Sequence, residues 1–339
     1  MNPPRPASEL LNQPPAWLVE GRAIRRFRRI TSARNLAKPE RFRPSSTERV
    51  VLRARLAPLL ELQGESPLHV EIDSPKKSQW WAAYLLEQPF RLGSQLYLST
   101  ELDRWLVLTG DDHARFSVVE NGETAEQASH TIDEFEEQFE QIGEPAHSKL
   151  FGYLTASPKL AGLGRRVERL LQLPLLSATD QLDKVLAAVT QFGFNGRLVN
   201  PPGSAFYLFG NLTAQGYSRE ELHFQAFQVE GILSRAEEAA RRQLLDRRRE
   251  WLLDQIGRGL GLLTNARLLE KTEAATALTW LILAQELELE SADLPPRGQL
   301  LRQLWLLQSP LVPKGEGKDE EKPSRTRARH LRNELFGGE

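Results

Sequence analysis

The amino-acid sequence predicts an α+β fold in which antiparallel strands and amphipathic helices alternate irregularly before a helical carboxy-terminal half. Three observations carry that reading. Between Arg104 and Glu120, Leu106, Leu108, Phe116 and Val118 alternate with polar residues and the run ends at Asn121-Gly122, a strong short hairpin signal, so half-buried antiparallel strands are expected. From Thr124 to about Gly143 the pattern turns acidic and helical, and between Asp180 and Phe192 the residues Leu182, Val185, Leu186 and Val189 share one helical face. Ser218 followed by Glu221 is a capping-box pattern that opens a charged helix from Arg219 through Arg248 and beyond.

Along the chain, residues 1 to 16 are rich in Pro, Asn and Ser and read as an irregular arm without its own core. Trp80 and Trp81, ahead of Ala82, Ala83, Tyr84 and Leu85, fall in a predicted helix, where aromatic side chains fill core more often than they stack on bases. With no basic patch around them, nucleic-acid stacking is not expected. Residues 313–326 are charged and lack apolar anchors, so they read as a solvated linker before a short basic tail. No internal repeat is visible.

The 339 residues, 40% hydrophobic and 26% charged, suffice for one substantial core and a smaller second one. Forty-four basic against 45 acidic residues leave a net charge of -1, so no global field would hold the chain on nucleic acid or an anionic membrane. The absence of cysteine excludes disulfides, thiolate catalysis and sulfur-based zinc sites. Prolines at the amino terminus do not suit a secretory apolar helix, and no run approaches the roughly 20 apolar residues of a membrane span. A cytoplasmic protein is the default expectation.

The segment FGYLTASPKLAGLGRRVERLLQLPLL, from Phe151, resembles the signature of the ATP:guanido phosphotransferases, in which a Cys-Pro-Thr-Asn-Leu-Gly-Thr-Gly run leads into an ATP-contacting arginine. FRRITSARNL from Phe27, VLTGDDHARF from Val107 and GFNGRLVNPPGS from Gly193 follow in family order. RGLGLLTNARLLEKTEAATALTWLILAQEL, from Arg258, resembles the helical dimerisation region of bacterial protein arginine kinases, and RARHLR from Arg327 echoes their basic tail. The resemblance spans about residues 22 to 310 and implies a curved antiparallel sheet packed by helices, followed by a small helical domain. The implied boundaries are an arm at 1–16, a catalytic domain at 17–255, a helical dimerisation-like domain at 256–312, and a charged linker with basic tail at 313–339.

Transfer of the terminal phosphoryl group of ATP needs stabilisation of charge spread over its oxygens, which arginine supplies through planar, permanently charged donors. The resemblance puts Arg29, Arg115, Arg166 and Arg197 at four of five phosphate-binding positions, with Thr31 at the fifth, and implies Mg-ATP as the nucleotide. The alternative for each arginine is a surface ion pair worth ~0 to 1 kcal/mol. Gly162 and Gly164 would let backbone approach a ligand closely, or mark an ordinary turn.

A guanidinium acceptor, with a pKa above ~12, must be oriented and deprotonated by carboxylates. The family run Asn-Glu-Glu-Asp-His reads Thr109-Gly110-Asp111-Asp112-His113, making Asp111 the candidate base on a side chain one methylene shorter. The family's second acceptor glutamate lies in a mobile loop that here reads Pro201-Pro202-Gly203-Ser204-Ala205, without a carboxylate. Ser157 stands at the family cysteine position, followed by Lys159-Leu160 where the family has Thr-Asn. Asp112 and His113 suit turn capping better than acid–base work. Arg325, Arg327, Arg329 and Arg332 resemble a phosphoarginine-binding tail, but its aspartate is missing and a solvated tail is favoured.

Three functions stay open. The chain is a protein arginine kinase with impaired activity toward protein arginines, or a pseudokinase that binds nucleotide and regulates or recognises other proteins, or a structural paralogue that binds none. A homodimer is implied by the resemblance; no nucleic acid or membrane partner is.

Overall fold

A computed structural model of the chain describes residues 15–21, 23–38, 44–64, 67–87, 89–122, 125–179, 181–199, 201–289, 294–307 and 323–337. Its strands are β1 (Arg25–Arg34), β2 (Leu68–Glu71), β3 (Gln95–Leu98), β4 (Arg104–Leu108), β5 (Ala114–Glu120), β6 (His147–Ser148), β7 (Gly152–Tyr153), β8 (Arg165–Gln172), β9 (Phe194–Leu198) and β10 (Phe206–Asn211). The helices are α1 (Ala16–Val19), α2 (Ser46–Leu56), α3 (Pro75–Tyr84), α4 (Glu126–Ile142), α5 (Pro174–Ala178), α6 (Leu182–Thr190), α7 (Arg219–Arg247), α8 (Arg249–Asn265), α9 (Lys271–Glu286), α10 (Arg297–Leu306) and α11 (Pro323–Phe336). Among the described residues no helix is long and apolar enough to cross a membrane.

Eight strands form one antiparallel sheet in the order β2-β3-β4-β5-β1-β8-β10-β9, and β6 and β7 form a separate hairpin. The α+β expectation holds in this arrangement. One face of the sheet carries Ile30, Leu106, Leu108, Phe116 and Val118, which pack against Ile132, Phe135 and Phe139 of α4 and Leu52 and Leu56 of α2. A larger core joins Phe27, Val167 and Leu170 of the sheet to Trp81 of α3, Val229 and Leu233 of α7 and the apolar residues of α9 and α10. Trp81 is thus a core residue, as its helical setting suggests.

Two details of the strand reading change. β4 and β5 are buried on both faces rather than half-buried, because α2 and α4 cover one side while Trp105, Val107 and Val119 join Trp81 and Leu85 in the larger core on the other. Asn121-Gly122 does not close a hairpin. The turn joining β4 to β5 is Thr109–His113, with Thr109 in the left-handed region at φ 55°. The carbonyls of Asn121 and Gly122 instead accept hydrogen bonds from Arg25 and Arg28, and Glu120 accepts one from the Ala128 amide at the start of α4. The helix from Ser218 has its capping box and runs to Arg247, where a break at Arg248 starts α8.

The central strand, β1, is unusual in that all ten residues are buried and five are arginine. A charge in that position is tolerable only with a counter-charge, since an unpaired buried ion costs several kcal/mol. Each neighbouring layer provides one. Glu230 of α7 accepts from Arg25 and Arg28 of β1 and from Arg169 of β8. A bulge between Arg25 and Phe27 brings Arg25 to the same side as Arg28, three residues away, which simple alternation would prevent. Glu286 of α9 pairs with Arg26, Arg241 and Arg297, and Glu136 of α4 with Arg34, Arg165 and Arg219.

At the amino terminus, residues 1–14 of the expected arm lie outside the described residues, while Trp17 and Leu18 of α1 are buried. Residues 313–322 of the expected linker also lie outside them. The basic segment after it is a packed helix rather than a solvated tail, because Ala328, Leu331 and Leu335 form an apolar stripe that enters the core. Its arginines serve that docking. Arg327 donates to the Leu269 carbonyl at 2.6 Å, and Arg332 donates to the carbonyls of Thr264 and Ala266 at 2.7 and 2.6 Å, satisfying the end of α8.

Candidate active site

On the sheet face opposite α4, strand alternation aligns Arg29 and Thr31 of β1, Arg115 and Ser117 of β5, Arg166 and Glu168 of β8, and Asn195 and Arg197 of β9. The register sets Arg29 beside Glu168 and Thr31 beside both Arg166 and Ser117. A cleft of about 400 Å³ opens over this surface. Its lining includes Arg29, Arg115, Arg166, Arg197, Asp111 and Ser157, so four strands and two loops bring these candidates together. Thr31 is buried beneath, hydrogen-bonded to Ser117 at 2.8 Å. Gly210 of β10 keeps the floor open: a Cβ there would meet the Glu168 Cγ at 3.0 Å and the Arg166 guanidinium at 3.1 Å.

Gly162 and Gly164 do not line the cleft. Both have positive φ, 99° and 66°, and both lie where backbones cross closely. Gly162 exchanges backbone hydrogen bonds with Tyr153, while the Gly164 carbonyl accepts from the Ala33 amide, and a Cβ on Gly164 would lie 2.8 Å from the Ala33 oxygen. They shape the loop that carries Ser157 and Leu160 to the cleft wall.

Asp111 sits in the β4–β5 turn at the exposed mouth. Its neighbours are structural. Asp112 accepts from Asn35 Nδ2 and from the Ala156 amide, both at 2.7 Å, which fixes the Ser157 loop to the end of β1. The buried His113 accepts from the Leu36 amide at Nδ1, and its own amide donates to Asn35. The 201–205 loop, where the family has its mobile acceptor glutamate, contributes nothing to the cleft. Ser204 is fully buried, Gly203 lies against α9 with its carbonyl accepting from Thr279 at 3.0 Å, and the Ala205 carbonyl accepts from Leu173.

Two acidic residues that motif reasoning missed complete the site. Glu168 lies between Arg29 and Arg166, with Oε2 2.7 Å from Arg29 Nε and Oε1 2.8 Å from Arg166 Nε. Burial would raise its pKa, but the two guanidinium groups outweigh burial and hold it at about 2. Glu87 accepts from Trp105 Nε1 at 3.1 Å and stands 3.5 Å from Arg29 and 3.3 Å from Arg115. Burial opposes the charge on Arg115, yet Glu87 and the other cleft carboxylates more than offset it. Arg115 and Arg166 each keep about 30% of the side chain exposed, so both present guanidinium surface to the cleft. Among the described residues no group of three or more His, Asp or Glu is placed to hold a metal ion. The arginine signal was legible from motif spacing, and Glu168 could have been found from its place two residues after Arg166 on a strand. Glu87 carries no such signal.

An antiparallel sheet thus presents four arginines, together with Glu87 and Glu168, into one cleft. The sequence model of the ATP:guanido phosphotransferase C-terminal catalytic domain matches residues 87–212, which hold every cleft arginine but Arg29. Over these residues the chain resembles this family. It is 28% identical over 178 residues to a protein-arginine kinase of Clostridium acetobutylicum, covering 51% of this chain and 52% of the relative. A protein-arginine kinase of an Exiguobacterium species is 29% identical over 240 residues, covering 70% and 69%. The chain thus spans about half the length of the first of the curated relatives it matches. Among solved structures, the duplicated taurocyamine kinase of Schistosoma mansoni with bound transition-state-analogue components matches with a TM-score of 0.53 at 17% identity, over 64% of this chain and 33% of that one. That likeness establishes the guanido kinase fold.

Proposed function

We propose that this protein is a protein arginine kinase-like ATP:guanido phosphotransferase homologue whose cleft takes the phosphates of Mg-ATP and whose transfer to protein arginine side chains is impaired. The observation that carries the reading is the convergence of Arg29, Arg115, Arg166 and Arg197 on one cleft with Asp111 at its mouth. In this reading the arginines hold and neutralise the phosphate oxygens, and Asp111 orients the acceptor guanidinium and takes its proton. Magnesium, bound through the nucleotide, would supply further charge neutralisation on the phosphates.

A second reading, a nucleotide-binding pseudokinase that acts on protein partners, is favoured by the 201–205 loop. It has no carboxylate and is packed against α9 rather than over the cleft. An acceptor positioned by one carboxylate in place of two loses orientation, and misplacement by about 1 Å can cost roughly two orders of magnitude in rate. A paired measurement separates the readings: thermal stabilisation by Mg-ATP, and acid-labile transfer of labelled phosphate to an arginine-rich protein, with Asp111→Asn as control. Slow transfer that vanishes in the control establishes the kinase. Stabilisation without transfer establishes the pseudokinase, and neither signal overturns both.

A further inference from the structure

The cleft carries its own anions. Its lining holds four arginines and four carboxylates, Glu87, Asp111, Asp112 and Glu168, so the formal charges cancel. A site built to draw in a polyphosphate would gain from uncompensated positive charge, because the field of a concave, partly desolvated site attracts its ligand. Here each arginine already faces a carboxylate or a carbonyl oxygen. Glu168 bridges Arg29 and Arg166. The segment after α3 provides the rest: the Leu85 carbonyl accepts from Arg29 at 2.8 Å, the Leu86 carbonyl accepts from Arg197, and the Glu87 carboxylate stands between Arg29 and Arg115. Leu86 holds this turn with φ 58°, a left-handed conformation that a non-glycine residue keeps only where surrounding contacts enforce it. Its buried side chain provides that enforcement.

We propose that Glu168, together with the Leu85–Glu87 turn, is a built-in substitute for phosphate that sets how weakly this cleft binds polyphosphate. The inference rests on the reading of the cleft as a phosphate site and deepens it. A polyphosphate entering the cleft must displace or repel the Glu168 carboxylate from between Arg29 and Arg166. Glu168 is therefore the residue whose charge most directly opposes binding, with Glu87 second. Gly210 is part of the same arrangement, since a Cβ there would press on the Glu168 Cγ at 3.0 Å and on the Arg166 guanidinium at 3.1 Å.

The test is equilibrium binding of tripolyphosphate and of Mg-ATP to the full chain as wild type, Glu168→Gln and Glu87→Gln, with near-UV circular dichroism confirming that each is folded. Removing one negative charge about 4 Å from the bound phosphates is expected to raise tripolyphosphate affinity by about tenfold or more in Glu168→Gln, and by less in Glu87→Gln. The gain should shrink as salt rises. Affinity unchanged or reduced in both folded variants overturns the proposal, as does failure of all three proteins to bind tripolyphosphate. If Glu168→Gln fails to fold, Glu87→Gln alone still decides, through a gain or its absence. A gain for tripolyphosphate without any binding of Mg-ATP supports the inference and sinks the nucleotide reading, so the two fail separately.

Discussion

At the scale of single residues, the buried charges of this protein are distinguished by how completely they are answered. His223 on α7 is a partly buried titratable group that lacks such an answer. Its Nε2 is buried without a hydrogen-bond partner, and burial, with Arg169 and Arg165 nearby, depresses its pKa to about 4. A histidine whose folded pKa lies below its unfolded value near 6.5 binds fewer protons in the native state, so its contribution to stability is present above about pH 6.5 and lost as pH falls toward 4. Urea midpoints measured from pH 7.5 to 4 should therefore fall more steeply in wild type than in His223→Gln, with the difference concentrated between about pH 6.5 and 4. Equal slopes would show that the imidazole is solvated. The same scale limits what a sequence reveals. Arg29, Arg115, Arg166 and Arg197 could be singled out because they sit in ordered blocks, and Glu168 only through its place two residues after Arg166, while Glu87 could not, since its meaning comes from the guanidinium groups that folding places against it.

Elements were legible where a local signal has one structural outcome. Ser218 and Glu221 form the capping box their spacing indicates, and residues 182–190 form a helix. Asn121-Gly122 misled because the same dipeptide that suits a hairpin also suits a strand end whose carbonyls are claimed by distant arginines. The basic tail misled because a chain rich in arginine looks solvated until the stripe Ala328, Leu331, Leu335 is given a surface to cover. The 201–205 loop is the element whose structure bears most on function. Gly203 has φ 91°, and a Cβ there would lie 2.8 Å from the Thr272 carbonyl and 2.3 Å from Thr276 Oγ1. Gly203→Ala is expected to cost about 2 kcal/mol or more, read as a lower urea midpoint. A change below about 0.5 kcal/mol would mean that the loop lifts from α9 without penalty and is free to move as a family acceptor loop does.

For the whole molecule, the α+β class and the order of strands followed by helices were readable from periodicity, but the way the layers are joined was not. The joints are ionic: Glu230, Glu286 and Glu136 each connect a helix to arginines of the sheet. Removing one carboxylate leaves buried cations without an answer, so Glu230→Ala should destabilise the fold by ~3 to 5 kcal/mol, read from urea unfolding. Glu230→Met should recover little, because Arg25, Arg28 and Arg169 remain; replacing the arginines as well should recover much of the loss.

The position of β1 has a further consequence during synthesis. Arg25, Arg26 and Arg28 leave the ribosome about 200 residues ahead of Glu230, and Arg26 must wait longer still for Glu286. Until then the middle strand of the sheet carries charges that the finished core could not accept alone. The end of β1 that carries Arg25, Arg26 and Arg28 is thus expected to close into the sheet only when the last helices arrive to neutralise it.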